Sequence, residues 1–196
     1  GYGMTEAAPL LAYEDWWEFA SKSCGKPVDS VEVRIDSSDP IKQVGEIQAK
    51  GVSLMSGYYK NDEATKAAFT EDGWMRTGDL GVMDAAGNIF IRGRSKNMIL
   101  SANGQNIYPE EIEAVVNNQP YVIESVVVDR GASLVALVYV DSDKLAADSI
   151  NIEEQMNALK AEVNKSMPSY SKISKVEVMD APFEKTPKMS IKRFMY

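Results

Sequence analysis

Apolar and polar residues alternate along the first half of the chain, which indicates β-strands rather than long helices. The alternation is clear in the runs VEVRI and VGEIQAK, and two later runs flank turn residues 84–87 as the arms of a hairpin do. Strands are therefore predicted at residues 31–35, 44–50, 80–83 and 88–92. The one helix predicted here is short, is capped by Asn61 or Asp62 and ends at Phe69.

Helical periodicity begins after residue 94. Pro109 suits the first position of a helix, and three glutamates follow it where the helix dipole favours negative charge. Ile112, Val115 and Val116 form the apolar stripe of that helix. The remaining pattern predicts a hairpin of residues 122–130 and 133–140 joined at Gly131-Ala132, an amphipathic helix over 151–166 and a strand over 174–179.

Together these elements predict an α+β fold. The β-rich section, residues 1–94, starts in the middle of a motif and is interpreted as an incomplete domain. Residues 95–196 are predicted to form a compact β-α-β-β-α-β unit, with a small sheet and flanking helices. The boundary between the two is placed near residues 94–96.

Composition excludes several classes of function. The chain has 196 residues, a net charge of −8, one cysteine and no histidine. Its negative charge disfavours non-specific binding to nucleic acid, and the lack of histidine excludes a hydroxyl–imidazole–carboxylate triad. Cys24 alone forms neither an internal disulfide nor a zinc site. A single cysteine fits a reducing compartment, so a cytoplasmic protein is expected.

Positive charge is concentrated at the C-terminus. The segment from Lys185 to Tyr196 has no acidic residue and carries four basic ones: Lys185, Lys188, Lys192 and Arg193. Two interpretations are equally supported by the sequence. The segment is either a solvated tail or a binding site for an anion.

The N-terminal run GYGMTE combines glycines with an aromatic ring, a hydroxyl group and a carboxylate. Tyr2 is suited to stack on a planar base and Thr5 to contact a phosphate. Glu6 is suited to hold Mg²⁺, which prefers hard oxygen ligands. Taken alone, the run has a simpler interpretation as a turn.

Two further runs carry candidate chemistry. In GWMRTGDLG, the Asp79 carboxylate can accept hydrogen bonds from both hydroxyls of a ribose, although aspartates after glycine also cap ordinary turns. In GRSKN, Arg94 is a permanent cation that can reach ribose hydroxyls or phosphate, and Lys96 follows it. The alternative for Arg94 and Lys96 is a basic loop in water.

These runs, together with Pro9-Leu10 and SANGQNIYPEEIE, resemble in order and spacing the adenylate-forming (AMP-binding) enzymes, and among them the long-chain fatty acyl-CoA synthetases. The resemblance implies that residues 1–94 end the large AMP-binding domain and that residues 95–196 form the small mobile domain. It implies an acid–thiol ligase that uses ATP, Mg²⁺ and a fatty acid to form an acyl-adenylate, from which coenzyme A displaces AMP.

The same resemblance assigns roles to single residues. It implies adenine stacking for Tyr2, phosphate contact for Thr5, magnesium binding for Glu6, and nucleotide binding for Asp79 and Arg94. Lys96 becomes the pivot between two orientations of the small domain, and the loop of Gly104 lines the pantetheine channel. A plain turn before the helix remains the alternative for the other residues of that loop, Ala102, Asn103 and Gln105.

The C-terminal segment departs from the family pattern. Relatives carry an adenylation lysine in a segment resembling Thr-Pro-x-x-Lys-Ile-x-Arg, and Ser190 stands at the position of that lysine. A serine cannot supply the cation that offsets the charge developing in adenylation. In an extended segment Lys188 and Lys192 would share a face with residue 190, so either could replace it, or the first half-reaction is slow.

Two other functions stay open at this stage. One is an adenylating enzyme that loads an acyl carrier protein, and the other is a non-catalytic nucleotide-binding or interaction module, which Ser190 favours. The 196-residue chain alone is expected to be inactive, because the glycine-rich phosphate loop of the family would precede Gly1. Any peripheral association with membranes would involve that preceding part, and the oligomeric state is undetermined.

Overall fold

A computed structural model of the chain describes residues 1–101, 103–131 and 133–196. These residues form two compact units, Gly1–Lys96 and Asn97–Tyr196. Sheets and helices occur together, which confirms the predicted α+β class. In the described ranges no helix combines the length and the apolar character that crossing a bilayer requires.

The first unit is built mainly from strands, in agreement with the alternation of its sequence. Its strands are β1 (Tyr2–Gly3), β2 (Leu10–Tyr13), β3 (Lys26–Pro27), β4 (Val31–Asp36), β5 (Gly45–Gly51), β6 (Met75–Met83) and β7 (Ile89–Arg94). The predicted short helix is α1 (Asp62–Ala68), and the Asn61 side chain caps it by accepting a hydrogen bond from the Ala64 N–H.

Two antiparallel sheets share the core of this unit. Strands β1, β2 and β3 form a three-stranded sheet, and β4 to β7 form a four-stranded meander. The core contains Tyr2, Ala7, Leu11, Ala12, Val31, Ile35, Ile47, Ala49, Met75 and Ile89. Because both sheets contribute to one core, the N-terminal motif is fixed against the meander rather than left as a free end.

The second unit has a small sheet covered by helices. Its elements are β8 (Ile99–Leu100), β9 (Asn106–Ile107), α2 (Pro109–Val116), β10 (Val122–Asp129), β11 (Leu134–Val140), α3 (Ser142–Ala147), α4 (Ile152–Ser166) and β12 (Ile173–Val178). The predicted helix that begins at Pro109, the predicted helix over 151–166, the hairpin and the last strand are confirmed. Helix α3 was not predicted, although Asp141 caps it by accepting from the Lys144 N–H.

Strand β10 pairs antiparallel with β11, and β12 pairs parallel with β11. A parallel neighbour needs a crossover, which α3 and α4 provide. The sheet order β10-β11-β12 leaves β10 and β12 as edge strands. Gly131, in the turn between β10 and β11, has φ +65°, a conformation that glycine adopts without strain. Ala132, the other predicted turn residue, lies outside the described residues.

Each face of this sheet has its own core. Val127 and Ala136 belong to the core that includes residues of α2 and α4. Val126 and Leu137, which alternate with them, pack with Phe183 in a second cluster, against which Ile191 and Tyr196 also pack. The C-terminal segment therefore covers one face of the sheet, and its interpretation as a solvated tail is wrong.

The C-terminal segment is not extended either. The prediction that Lys188 and Lys192 share a face with residue 190, which requires an extended segment, therefore does not apply. Lys185 forms an antiparallel bridge with Ile191, and the Thr186 N–H donates to the Ser190 carbonyl at 2.8 Å. The Met189 N–H donates to the Thr186 carbonyl at 2.9 Å, and Met189 has φ +62°. Residues 186–190 thus form a tight hairpin turn, called the C-terminal turn below.

Candidate functional site

Two of the predicted site residues converge on the carboxylate of a third in the first unit. The Tyr2 hydroxyl donates to Asp79 Oδ2 at 2.8 Å, and Arg94 Nε lies 2.9 Å from Asp79 Oδ1. The Asp79 side chain is 8% exposed, whereas that of Arg94 is 53% exposed. The carboxylate is thus held from two sides, and the guanidinium extends from it into solvent.

A β-bulge places Asp79 in this position. Gln48 pairs with Arg76 and Glu46 pairs with Leu80, so three residues of β6 stand opposite Ile47 alone. Gly78 lies within the bulge with φ +71°, which a residue with a β-carbon would adopt only with strain. Bulges of this kind re-aim side chains and are frequent beside active sites.

Hydrogen bonds within the bulge hold it in shape. The Thr77 hydroxyl donates to the Ile47 carbonyl at 2.6 Å and accepts from the Asp79 N–H at 3.1 Å. On the other side, β7 places Arg94 directly opposite Asp79 in the strand register. The motif residues therefore meet because of the sheet, although 77 positions separate Tyr2 from Asp79 in the chain.

Tyr2 has a role that the sequence did not reveal. Burial, and secondly the nearby negative charge of Asp79, raise the pKa of its hydroxyl well above the usual value. The hydroxyl therefore remains protonated at any physiological pH and donates to the carboxylate. The residue is only 7% exposed, so most of its ring is packed in the core.

The other residues of the N-terminal motif lie in a short 3-10 turn, Thr5–Ala7. Glu6 is partly exposed, and its Oε1 accepts from the Tyr58 hydroxyl at 3.1 Å. Among the described residues no group of three or more acidic, cysteine or histidine side chains could form a complete metal cage. A single carboxylate nevertheless fits Mg²⁺ bound to a nucleotide, because phosphates and water supply its remaining ligands. Tyr58 was missed, since no motif marks it.

Lys96 and Gly104 lie on either side of the first residues of the second unit. Lys96 is exposed in the 3-10 turn Ser95–Asn97 and is the last residue of the first unit. Gly104 has φ +78°, and its N–H donates to the Ser101 carbonyl at 2.9 Å. The left-handed conformation explains why glycine is found there. Ala102, which belongs to the same loop, lies outside the described residues.

The Gly104 loop borders a cavity of about 510 Å³ within the second unit. Apolar side chains of β8, β9 and β11 line one part of it, and Ser101, Asn103 and Lys172 are among its polar lining residues. Lys172 is exposed. The cavity therefore offers apolar surface, hydroxyl and amide groups, the Lys172 ammonium and the Asp129 carboxylate.

The three residues considered for adenylation differ in their position relative to the C-terminal turn and in their partners. Lys192 lies beyond the turn, and its ammonium is 3.0 Å from Glu184 Oε2. Ser190 is exposed, and its N–H donates to the Thr186 hydroxyl at 3.3 Å. Lys188 is exposed in the turn itself and forms no ion pair with any residue in the described ranges. Of the two lysines, Lys188 is the one whose charge is uncommitted.

The base of the turn is held by residues that the sequence had not identified as a group. Arg193 forms an ion pair with Glu113 of α2, and Lys185 lies 2.6 Å from Glu124 of β10. Glu113 belongs to the buried face of α2, beside Ile112. A carboxylate on an apolar helix face is the signal that could have identified this contact, because such a group needs a partner.

Comparisons with known proteins agree with this arrangement. The family model described as AMP-binding enzyme C-terminal domain matches residues 96–195, and the model described as AMP-binding enzyme matches residues 1–59. The chain therefore belongs to the AMP-binding, or adenylate-forming, enzyme superfamily and includes its C-terminal domain. The resemblance noted from the motifs is confirmed at this level.

Similar proteins include enzymes with different acid substrates. The chain is 30% identical over 216 aligned positions to a long-chain-fatty-acid–CoA ligase of Mycobacterium bovis, covering 98% of this chain and 35% of that protein. It is 32% identical over 206 positions to 4-coumarate–CoA ligase 1 of Petroselinum crispum, covering 98% and 36%. The chain thus spans about a third of the length of these curated relatives.

A solved structure supports the same fold. The chain superposes with a TM-score of 0.83 and 28% identity on O-succinylbenzoate coenzyme A synthetase of Bacillus subtilis in complex with ATP and magnesium ion. The match covers 98% of this chain and 40% of that one. The superfamily is shared by ligases of fatty, phenolic and succinylbenzoic acids, and the fatty-acid assignment remains a prediction.

Proposed function

We propose that this chain is the C-terminal part of an AMP-forming acid–CoA ligase whose substrate is a fatty acid. The observation that carries the proposal is the convergence of Tyr2 and Arg94 on the buried carboxylate of Asp79. The proposal that the chain is one part of a longer enzyme is supported by the relatives, because the chain spans about a third of their length.

In this proposal Asp79 binds the ribose of ATP. Each carboxylate oxygen already accepts one contact from the protein, and each has a second lone pair that can accept a ribose hydroxyl. Because Tyr2 and Arg94 fix the carboxylate, little rotamer entropy is lost when the nucleotide binds. Arg94, which is half exposed, also places a cation where a phosphate or a ribose hydroxyl can reach it.

Glu6 and Thr5 act on the phosphates. Glu6 would contribute one oxygen to Mg²⁺, and the Thr5 hydroxyl, which is exposed, would donate to a phosphate oxygen. Held there by Glu6, the ion would supply charge compensation for the phosphates. Tyr58 orients the Glu6 carboxylate through its hydroxyl.

Lys188 supplies the cation for the first half-reaction in place of the lysine that relatives carry at the position of Ser190. Its ammonium is exposed and unpaired within the described residues, whereas that of Lys192 is engaged with Glu184. A flexible ammonium near the developing charge on the carboxylate and the α-phosphate lowers the barrier to adenylation. Ser190 then contributes only to the shape of the turn.

The second half-reaction uses the other features of the second unit. We take Lys96 as the pivot, because it is exposed and ends the first unit. The cavity beside the Gly104 loop accommodates part of coenzyme A, since its volume lies in the range of roughly 300–1,000 Å³ usual for ligand sites. Lys172, the cation among its lining residues, suits a phosphate of that ligand, and the Asp129 carboxylate also belongs to the lining.

The test uses a full-length protein whose C-terminal part is this chain. Acid-dependent exchange of pyrophosphate into ATP is measured with fatty acids of increasing length, 4-coumarate and O-succinylbenzoate, and thioester formation is measured with coenzyme A and with an acyl carrier protein. We expect exchange with fatty acids and transfer to coenzyme A. The 196-residue chain alone is expected to show no exchange.

Each contrary result removes a separate part of the proposal. Exchange with an aromatic acid but with no fatty acid would overturn the substrate assignment. Transfer only to the carrier protein would overturn the acceptor. Exchange by the isolated chain would contradict its proposed incompleteness, and a full-length protein that binds ATP but exchanges with none of the acids would be a binding module.

A further inference from the structure

Glu113 is an acidic residue in the core of the second unit. It lies on α2 beside the buried Ile112 and is itself 8% exposed. Burial raises the pKa of its carboxyl group, whereas the charge of Arg193 and the Val127 N–H act in the opposite direction. A buried carboxylate is costly unless it is paired, so its position calls for an explanation.

Both oxygens of this carboxylate are used at the edge of the sheet. Oε1 accepts from the Val127 N–H at 2.6 Å, and Oε2 pairs with Arg193 Nη2. Arg193 Nη1 in turn donates to the Val127 carbonyl at 3.4 Å. Because β10 is an edge strand, Glu113 and Arg193 together satisfy the two backbone groups of Val127 that point away from β11.

Arg193 lies two residues after the bridge residue Ile191 and begins a 3-10 turn, so this contact fixes one arm of the C-terminal turn. The other arm is fixed by Lys185, whose ammonium lies 2.6 Å from Glu124 Oε2, while Glu124 Oε1 accepts from the Phe183 N–H at 3.1 Å. Both arms are therefore anchored to β10. The turn that carries Lys188 projects from a base held at two points.

Helix α2 also holds the first residue of the second unit. Asn97 Nδ2 donates to Glu110 Oε1 at 2.6 Å, and Glu110 lies three residues before Glu113. Residues three apart lie on the same side of a helix. One helix thus contacts both the residue that follows Lys96 and the base of the C-terminal turn.

We propose that Glu113 is a positioning residue for adenylation, which holds the C-terminal turn in place through Arg193 and is not needed for transfer to coenzyme A. The inference rests on the proposed function, because it takes Lys188 as the cation of the first half-reaction. Glu113 touches no reacting atom. It sets where the ammonium of Lys188 can be, and displacement of a catalytic group by about 1 Å can lower a rate by about 100-fold.

The experiment measures the two half-reactions separately in the full-length enzyme. Glu113→Gln keeps an oxygen for the Val127 N–H but removes the charge that holds Arg193. We expect acid-dependent pyrophosphate exchange to fall by about 10- to 100-fold. Thioester formation from a supplied acyl-adenylate is expected to stay within about twofold, as in the matched control Glu162→Gln, which removes an exposed carboxylate from α4.

Two further variants keep the inference testable if Glu113→Gln folds poorly. Arg193→Lys retains a cation but not the two-atom contact with Glu113 and Val127, so it should show the same separation of half-reactions to a smaller degree. The double variant Glu113→Gln with Lys188→Ala should exchange no more slowly than Lys188→Ala alone, because both changes remove the same contribution, that of the correctly placed Lys188 ammonium.

The outcomes distinguish this inference from the function on which it rests. If neither Lys188→Ala nor Lys192→Ala slows exchange, the proposed source of the cation is wrong. If Lys188→Ala slows exchange but Glu113→Gln and Arg193→Lys do not, the positioning role is wrong. Equal loss of both half-reactions in Glu113→Gln and Arg193→Lys would show a structural role alone and would also overturn the inference.

Discussion

The two units hold their charged residues in opposite ways. In the first unit, Asp79 is buried, and Tyr2 and Arg94 engage both of its oxygens before any ligand arrives. In the second unit, the charged groups at the base of the C-terminal turn are paired, whereas Lys188 in the turn is exposed. A fixed carboxylate suits a ligand that stays in one place throughout a reaction. A cation on an exposed turn suits a group needed in only one step.

Because of this difference, substitutions in the two units are expected to affect different properties of the protein. A change at Asp79 disturbs a network within a core and is expected to alter both stability and nucleotide binding. A change at Lys188 breaks no hydrogen bond or ion pair of its side chain in the described residues and is expected to alter a rate alone.

Lys188→Ala is expected to slow acid-dependent pyrophosphate exchange by about 100- to 1,000-fold, because a charge that stabilises the transition state is lost. The free energy of unfolding should not change measurably. Lys192→Ala is the matched control, since that lysine is paired with Glu184, and it should slow exchange much less. An equal loss in the two variants would remove the distinction between the exposed and the paired lysine.

Asp79→Asn is expected to weaken ATP binding by about 10- to 100-fold, because a hydrogen bond to a charged group contributes about 1.5–3 kcal/mol. Only one of the two polar atoms of the amide is a hydrogen-bond acceptor, so Tyr2 and Arg94 can no longer each donate to a separate atom. Isothermal titration of the full-length protein with ATP, together with thermal unfolding, measures the two effects. Unchanged affinity would exclude Asp79 from the nucleotide site.

Tyr2→Phe removes one hydroxyl and keeps the ring in the core. It is expected to lower the free energy of unfolding by about 1.5 kcal/mol, because the buried Asp79 carboxylate loses a donor at 2.8 Å. Urea unfolding of the 196-residue chain is the measurement. Tyr59→Phe, at an exposed tyrosine, is the control and should be neutral. If the two variants unfold alike, Tyr2 does not stabilise Asp79.

Met189→Gly should raise the free energy of unfolding by about 0.5–1 kcal/mol, because Met189 has φ +62° and glycine adopts that region without the strain of a β-carbon. Ser190→Gly, at a neighbouring residue without a positive φ, should give no such gain. Thermal unfolding of both variants decides the point. A loss of stability in Met189→Gly would mean that the turn is not strained.

The smallest effect concerns pH. Arg34 and then the Thr70 hydroxyl lower the pKa of Asp72 below its usual value. A lowered pKa in the folded state stabilises the protein at pH values above the unfolded pKa of about 3.9, and this contribution is lost as the pH falls through the folded pKa. The difference in melting temperature between the wild type and Asp72→Asn should therefore shrink on acidification below pH 4. A difference independent of pH would contradict the pairing.

Much of the fold could be predicted because local patterns determined it. Periodicity, turn residues and caps predict β4, β5, β7, residues 80–83 of β6, helices α2 and α4 and the hairpin of β10 and β11. Strands β1 to β3 and residues 75–79 of β6 were not predicted. Helix α3 has only six residues and too short a pattern, so its cap was the sole signal. The site was predicted in part. The sequence identified Tyr2, Asp79 and Arg94 separately, whereas their mutual contacts depend on a bulge and a register that no local pattern reveals.

The C-terminal segment shows why the remainder could not be predicted. The four basic residues without an acidic neighbour leave a solvated tail and an anion site equally open. In the structure Lys185 pairs with Glu124, 61 residues before it, and Arg193 pairs with Glu113, 80 residues before it. Such long-range pairing depends on the finished sheet. Charge counting along the sequence therefore could not distinguish Lys188 from its neighbours.

The position of Phe183 has a consequence for how the protein is made. This residue, with Tyr196 against it at a ring distance of 5.0 Å, covers the face of the sheet formed by Val126 and Leu137. Residues 183–196 are translated after every other element of the second unit, so that face stays uncovered until these residues leave the ribosome. Until Phe183 packs there, the apolar side chains of Val126 and Leu137 on that face remain exposed to water.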